Sequence, residues 1–394
     1  MYSTAQYERW LEKFRNFRKF SSINSKSSTS GTTTVSRDTI FRTNEDDPTN
    51  HELQHSGRFY RIPVSIKKQL FSHGGLPKEF EALSQTLNEL CLMIRKPSVE
   101  LINYIKNTNF DAPVPRFVLY GKTGTGKSLS LAHVLHYGSK NRFVLVHVPW
   151  VPNWFRRFKE VTPSLTAPNK YDNPIESVDW LRHFTSQNGT LLQELELKTT
   201  STYNWSKRET TPEGVPLQEL LDFGLNRAKY ATGCITALIE ELKKAAVNKQ
   251  CRILVVIDGF NSFFSSQTRA KREDKSLISP SEFLLTEAFL SITKNDWNNG
   301  AVVVSVDPAA LSGDYRQSHL PRYQLGKQGF EHLDPFVPIE ISNYNEKEFC
   351  AQIDYYIERH WLVQPKAHTE RGRNQLSFSS GNHPYSLMQL VAPY

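Results

Sequence analysis

The sequence predicts an α/β fold, a parallel sheet flanked by helices, and three observations carry that prediction. A short apolar run, Arg116-Phe-Val-Leu-Tyr120, leads straight into Gly121-Lys-Thr-Gly-Thr-Gly-Lys-Ser128, and a helical pattern follows. A second run, Ile253-Leu-Val-Val-Ile257, is apolar throughout and ends in Asp258. A parallel strand covered on both faces reads this way. Further strand-type runs, Phe143–Val148, Val302–Val306 and Phe336–Ile341, alternate with helical segments, which is the order of a sheet with helices on both faces.

The elements follow in order along the chain. Tyr7, Trp10, Leu11, Phe14 and Phe17 fall on one helical face, with Arg9, Lys13, Arg15, Arg18 and Lys19 around it. A Ser/Thr-rich tract runs from Ser21 to Ser36. This is the make-up of a mitochondrial transit peptide, from which Glu8 and Glu12 depart; a disordered basic tail or a small docking helix fits the same residues. Residues 1–41 are therefore read as a targeting or disordered segment. Residues 22–60 are polar and expected to be irregular. An N-terminal extension at 42–107 includes a helix over about 85–107, broken near Pro97. The core spans 108–341. Within it Leu131, Val134, Leu135 and Gly138 mark a helix after the glycine-rich loop, and Ile235, Leu238, Ile239 and Leu242 mark another over 235–247. Residues 128 and 258 lie too far apart for one βαβαβ unit, so an inserted subdomain is expected at about 150–215, where Trp150, Trp154, Trp180 and Trp205 would form an interaction surface or, more often for such aromatics, a subdomain core. A C-terminal helical lid is expected at 342–394. There Asn345 and Glu348 have capping spacing, Phe349, Ile353, Tyr356, Ile357 and Trp361 form an apolar face, and Gly381-Asn-His-Pro384 precedes a last helix.

Composition bounds the partners. The 394 residues carry 48 Lys+Arg against 40 Asp+Glu, a net charge of +8. That suits an anionic partner such as RNA. Cys91, Cys234, Cys251 and Cys350 are scattered, with no C-x-x-C pair, so no disulfide framework or zinc site is indicated. No apolar run reaches membrane-spanning length. The charged stretch Arg269–Lys275 is read as a solvated loop that could meet RNA or a protein.

The chemistry lies in residues 121–128, a complete G-x-x-x-x-G-K-S phosphate-binding loop of P-loop NTPase type. A glycine-rich turn lets successive N–H groups point into one concavity, and the helix N-terminus adds partial positive charge. The candidate nucleotide contacts are Gly121, Lys122, Thr123, Gly124, Thr125, Gly126, Lys127, Ser128 and Leu129. Lys127 supplies a point charge, and Ser128 with Asp258 would hold Mg²⁺. Ser305, at a strand end, is placed where a γ-phosphate would be sensed. Many related ATPases follow the metal Asp with a Glu that activates water. Here Gly259 stands there, and no carboxylate follows in sequence until Glu273. Binding is thus better supported than turnover. Thr293-Lys-Asn-Asp296 fits a guanine-reading string but ends a helix instead of following a strand, so it is taken as accidental.

Beyond these motifs the chain resembles the death-associated protein three family of mitochondrial small-subunit ribosomal GTP-binding proteins. The resemblance rests on Arg42-Thr-Asn-Glu-Asp-Asp-Pro48, Cys91-Leu-Met-Ile-Arg-Lys-Pro97, Gly124-Thr-Gly-Lys-Ser-Leu-Ser-Leu131, Trp205-Ser-Lys-Arg-Glu209, Lys271-Arg-Glu-Asp-Lys-Ser276, Lys294-Asn-Asp-Trp297, Leu333-Asp-Pro-Phe336 and Ser342-Asn-Tyr-Asn345. It implies an AAA-like P-loop core and a place in the head of the small subunit of the mitochondrial ribosome, in the matrix. The implied partners are small-subunit proteins and rRNA, with the large subunit across an intersubunit contact. It also implies bound GTP or GDP, in preference to ATP, with Mg²⁺, contacted by Gly124, Gly126, Lys127, Ser128 and Asp258. The alternatives are a nucleotide-dependent switch and an ATPase, acting in assembly or in the apoptotic signalling reported for the family.

Overall fold

A computed structural model of the chain describes residues 40–265, 268–311 and 318–392. The expected targeting helix and its Ser/Thr tract lie outside the described residues. In chain order the elements that position the site are β1 Phe59–Arg61, β2 Cys91–Met93, α1 Lys96–Lys106, β3 Arg116–Tyr120, α2 Lys127–Lys140, β4 Phe143–Val148, α3 Pro174–Leu195, α4 Ala228–Val247, β5 Arg252–Ile257, α5 Leu284–Ile292, β6 Gly300–Ser305, β7 Val337–Glu340, α6 Glu346–Glu358, α7 Glu370–Ser380 and α8 Pro384–Leu390.

The central sheet is parallel throughout, in the order β7-β3-β6-β5-β4. Strand β6 therefore separates the strand that enters the glycine-rich loop from the strand that ends at Asp258. Ser305 pairs with Leu119 of β3, and Val304 pairs with Ile257 of β5. The C-terminal ends of the three strands thus come level, where α/β sheets open a crevice for ligands.

Alternation along each strand sends neighbouring side chains to opposite faces. Phe117, Leu119, Leu254, Val256 and Val303 pack against α1 and α2. Val118, Val146, Val255, Ile257 and Val304 pack against α3, α4 and α5. Burial on both sides explains why these strands read as unbroken apolar runs. Trp154, Trp180 and Trp205 are buried in the second of these layers. The segment expected to be a separate insertion is therefore built into the main core, and α3 packs directly on β4.

Several sequence expectations need correction. No single helix covers 85–107. A helix ends at Thr86, β2 pairs antiparallel with β1, and α1 begins at Lys96. The apolar Cys91-Leu92-Met93 finds a strand partner, and Pro97 lies in the first turn of α1, where its missing N–H leaves no helical bond unmade. Pro97 starts a helix instead of breaking one. Residues up to 60 are not wholly irregular, since β1 begins at Phe59 and short 3₁₀ turns precede it. Helix α4 starts at Ala228, well before Ile235.

A third core joins the two ends of the chain. Phe59, Leu83 and Cys91 pack with Phe349, Ile353, Tyr355, Trp361 and Leu387. The N-terminal extension and the C-terminal helices thus form one small body beside the sheet. Its inner wall faces the glycine-rich loop.

Candidate phosphate-binding site

The loop between β3 and α2 is shaped by its glycines. Gly121 has φ +150° and Gly124 φ +87°, and a Cβ on Gly124 would lie 2.7 Å from the His383 ring and 2.8 Å from Tyr385 Cβ. Only glycine allows both the backbone turn and this close approach. Each carbonyl from 121 to 125 is taken up by a donor from outside the turn or by Lys127. Lys127 Nζ donates to Gly121 O at 2.8 Å and Lys122 O at 2.7 Å. The His383 ring Nε2 lies 2.9 Å from Thr123 O, Tyr385 N donates to Gly124 O at 3.2 Å, and Arg95 Nη1 donates to Thr125 O at 2.8 Å. With these carbonyls occupied, the N–H groups of Gly124, Gly126, Lys127 and Ser128 donate to no backbone acceptor among the described residues. Unsatisfied N–H groups at a helix start form an anion site.

The strand ends supply the polar floor. Ser128 Oγ donates to Asp258 Oδ2 at 2.5 Å, across the whole span between loop and strand. Ser305 Oγ donates to the other Asp258 oxygen and accepts from Gly259 N at 3.1 Å. Ser305 is fully buried, so it holds Asp258 from behind instead of facing the open side of the loop. Burial pushes Asp258 up to about 6, against the downward pull of the Ser128 and Ser305 hydroxyls.

The structure also places groups that sequence reasoning missed. Asp307 Oδ2 lies 2.8 Å from Lys127 Nζ, and its Oδ1 accepts from Thr123 Oγ1 at 2.7 Å. A carboxylate is therefore present after all, carried by β6 instead of following Asp258 in sequence. Its position just past Ser305 was the available signal. Arg95 pairs with Glu348 at 3.1 Å in a buried contact, and also donates to Ser342 O and Asn343 O. Glu348 meanwhile completes the capping box of α6 with Asn345. Lys122 and Thr123 are exposed on the loop crest, and Leu129 packs on the α1/α2 side.

Loop, Asp258 and Asp307 line one cleft of about 1200 Å³, ample for a nucleotide by comparison with ordinary ligand pockets. The cleft continues into an apolar lobe of Phe59, Leu83, Leu87, Met93, Tyr355 and Met388. Among the described residues no three His, Cys, Asp or Glu converge on a metal position. Ser128 and Asp258 nevertheless fit Mg²⁺, which takes oxygen ligands, one or two from the protein and the rest from phosphates and water. The Thr293–Asp296 string lies ahead of the N-terminal end of β6, at the end of the strands away from the loop, with Asp296 paired to Lys243 at 2.8 Å. The charged loop after Arg269 folds on itself through the Arg272–Glu282 ion pair.

Comparison with known proteins gives a family match and two relatives aligned over most of their length. The family profile described as mitochondrial ribosomal death-associated protein 3 matches residues 92–390. The small ribosomal subunit protein mS29 of Bos taurus is 42% identical over 353 residues, covering 90% of this chain and 88% of its own. That of Mus musculus is 40% identical over 354 residues, covering 90% of each. Among solved structures, the Aeropyrum pernix ORC2 protein aligns with 79% of this chain and 60% of its own at 14% identity, with a TM-score of 0.32. No helix among the described residues is long and apolar enough to cross a membrane.

Proposed function

The chain belongs to the mitochondrial ribosomal death-associated protein 3 family, and from that membership we infer that it is a protein of the small subunit of the mitochondrial ribosome, located in the matrix. We further propose that it is a structural subunit holding a purine nucleotide, GTP or GDP in preference to ATP, with Mg²⁺. The observation that carries the nucleotide reading is the Ser128–Asp258 contact at the mouth of a loop whose carbonyls are all hydrogen-bonded, leaving N–H groups of the turn without backbone acceptors. The strand order, with one strand between loop strand and acid strand, supports the AAA-like P-loop core. Gly121–Leu129 would cradle the phosphates, Lys127 would neutralise them, and Ser128 and Asp258 would hold the metal ion, which would supply further positive charge against the phosphates. The apolar lobe offers a stacking surface for a base. Small-subunit proteins and rRNA are the proposed neighbours, with the large subunit across an intersubunit contact.

Nucleotide binding to the native state alone adds about 3–4 kcal/mol at 100–1,000 times Kd. The test is Lys127→Ala, followed by thermal melting with and without nucleotide and by sedimentation of mitochondrial lysates with small-subunit rRNA probed across the gradient. We expect the nucleotide-dependent rise in Tm to vanish and co-migration with the rRNA to fall. Unchanged melting and assembly would refute the nucleotide reading, while the wild-type sedimentation tests the ribosomal one separately.

One further reading has an observation in its favour. His383 and Tyr385, from the C-terminal helices, touch the loop directly. A nucleotide switch that moves this body would give different protease patterns with GTP and GDP; identical patterns would leave the structural role.

A further inference from the structure

We propose that Asp307 is a built-in competitor for Lys127 and thereby sets how tightly the loop holds polyphosphate. The inference rests on the reading of the loop as a nucleotide site. A carboxylate inside an anion-binding loop is the feature that needs explaining. Its Oδ2 lies 2.8 Å from Lys127 Nζ, and both residues are buried, at 7% and 4% exposure. Its position does not depend on the lysine. Oδ1 accepts from Thr123 Oγ1 at 2.7 Å and from Ala309 N at 2.8 Å. Its backbone is clasped by Asn261, which accepts from Asp307 N at 3.2 Å and donates to Asp307 O at 2.9 Å. Asn261 is fully buried and bonded in turn to Gln324 at 3.1 Å. The acid is thus fixed in the loop by groups that remain whatever Lys127 does.

An arriving phosphate has two ways to engage Lys127. It can take the ammonium from Asp307, leaving Oδ2 buried without its cation. It can instead share the ammonium and lie beside the carboxylate. Both oppose binding, since like charges at close range in a poorly solvated site repel strongly. The opposition grows with ligand charge, so a triphosphate meets more of it than a diphosphate. Asp258 adds a second carboxylate to the same floor. An Asn at position 307 would remove the charge yet keep an oxygen for Thr123 and Ala309.

The test is isothermal titration of the full chain with GTP, GDP and pyrophosphate, each with and without Mg²⁺, for wild type, Asp307→Asn and Lys127→Ala. Circular dichroism checks folding, and Asp307→Ser replaces the Asn variant if that one misfolds. We expect Asp307→Asn to bind GTP about tenfold tighter, the equivalent of one close charge contact, with a smaller gain for GDP. Lys127→Ala should lose affinity for all three. Unchanged or weaker binding by Asp307→Asn, while wild type binds and Lys127→Ala does not, would overturn this inference alone. Weakening confined to magnesium-containing titrations would make Asp307 a metal-side group and overturn it equally. Absence of binding by every protein would overturn the nucleotide reading, and the inference with it.

Discussion

The loop at 121–128 is held from two sides, and the two sides are built differently. On the sheet side, Asp258, Ser305 and Asp307 come from the ends of two adjacent parallel strands. Their positions follow from strand register, which the buried apolar runs specify strongly. On the outer side, Arg95, His383 and Tyr385 come from opposite ends of the chain and meet only because β1, β2 and the C-terminal helices share a core. The sheet side supplies the acids and hydroxyls that a metal and phosphate would use. Within the loop the outer side touches only carbonyls, so its effect on a bound phosphate would be exerted through the direction in which the loop N–H groups point, while its apolar face lines the lobe offered to a base. Chemistry and orientation are thus carried by separate bodies, and each can be perturbed without the other.

The largest effect should come from the outer side. Arg95→Ala removes the partner of buried Glu348 and the donor to Thr125 O together. Breaking a buried pair from one side destabilises by about 3–5 kcal/mol. Urea denaturation should report that loss. The double replacement of Arg95 and Glu348 by Met and Leu should recover much of the stability while leaving Thr125 O without its donor. Recovery of nucleotide affinity in that double variant would show that Arg95 does not orient the loop.

Gly124 sits where the two bodies touch. A Cβ there meets His383 and Tyr385, whereas at Gly214, with a similar φ of +84°, it meets nothing within 4 Å. Both substitutions incur backbone strain of about 1–3 kcal/mol. Only Gly124→Ala should also separate loop from helix and weaken nucleotide binding. Equal effects at both glycines would mean that the contact with the C-terminal body is incidental.

The same contrast explains what was legible in the sequence. The loop, its strand and helix, and Asp258 were readable because each is coded locally, by glycine spacing or by an apolar run. The capping box at Asn345 and Glu348 was readable for the same reason. Arg95 was not, since nothing near it indicates that its partner lies beyond residue 340. The strand at Cys91–Met93 was mistaken for helix because three residues carry too little periodicity to decide, and the deciding partner, β1, lies thirty residues earlier in an apparently polar stretch. Asp307 is not legible because no acid follows Asp258 closely in sequence, whereas the sheet delivers one from just past the end of the neighbouring strand. Ser305 was found, but its direction was not: only register shows that it points at Asp258.

On the sheet side the sharper test is pH. Burial raises Asp258 to about 6 in the folded protein, above its unfolded value near 3.9. A carboxyl raised in this way favours the folded state when protonated, so its contribution is full below the unfolded value and is lost as pH rises through about 6. On the proposed reading, Mg²⁺ at this site would require the ionised form and would have to expel that proton. Magnesium-dependent nucleotide affinity should therefore fall about tenfold per pH unit below about 6. Buried histidines away from the site work in the opposite direction on stability. His136, lowered by burial to about 4, withdraws stability as pH falls through that range. As pH falls, protonation of Asp258 should therefore lower affinity while adding stability, the histidines opposing the second effect, and Asp258→Asn should flatten the affinity profile while leaving the histidine-driven loss of stability.

The smallest effect, at His383, separates the two sides most cleanly. Its Nδ1 accepts from Ser386 N at 3.2 Å and caps α8, which leaves Nε2 as the donor to Thr123 O at 2.9 Å. One ring thus ties the last helix to the crest of the loop. His383→Ala removes both bonds and should reduce stability by about 1–2 kcal/mol, an ordinary cap plus one hydrogen bond. His383→Asn retains a cap acceptor, but its shorter side chain does not span to the loop. We expect the Asn variant to regain the stability lost with the cap and to keep the weakened nucleotide affinity of the Ala variant, measured by urea denaturation and by titration respectively. If the Asn variant restored both, the outer body would act on the loop only by being folded, and the division between orientation and chemistry would collapse into general stability.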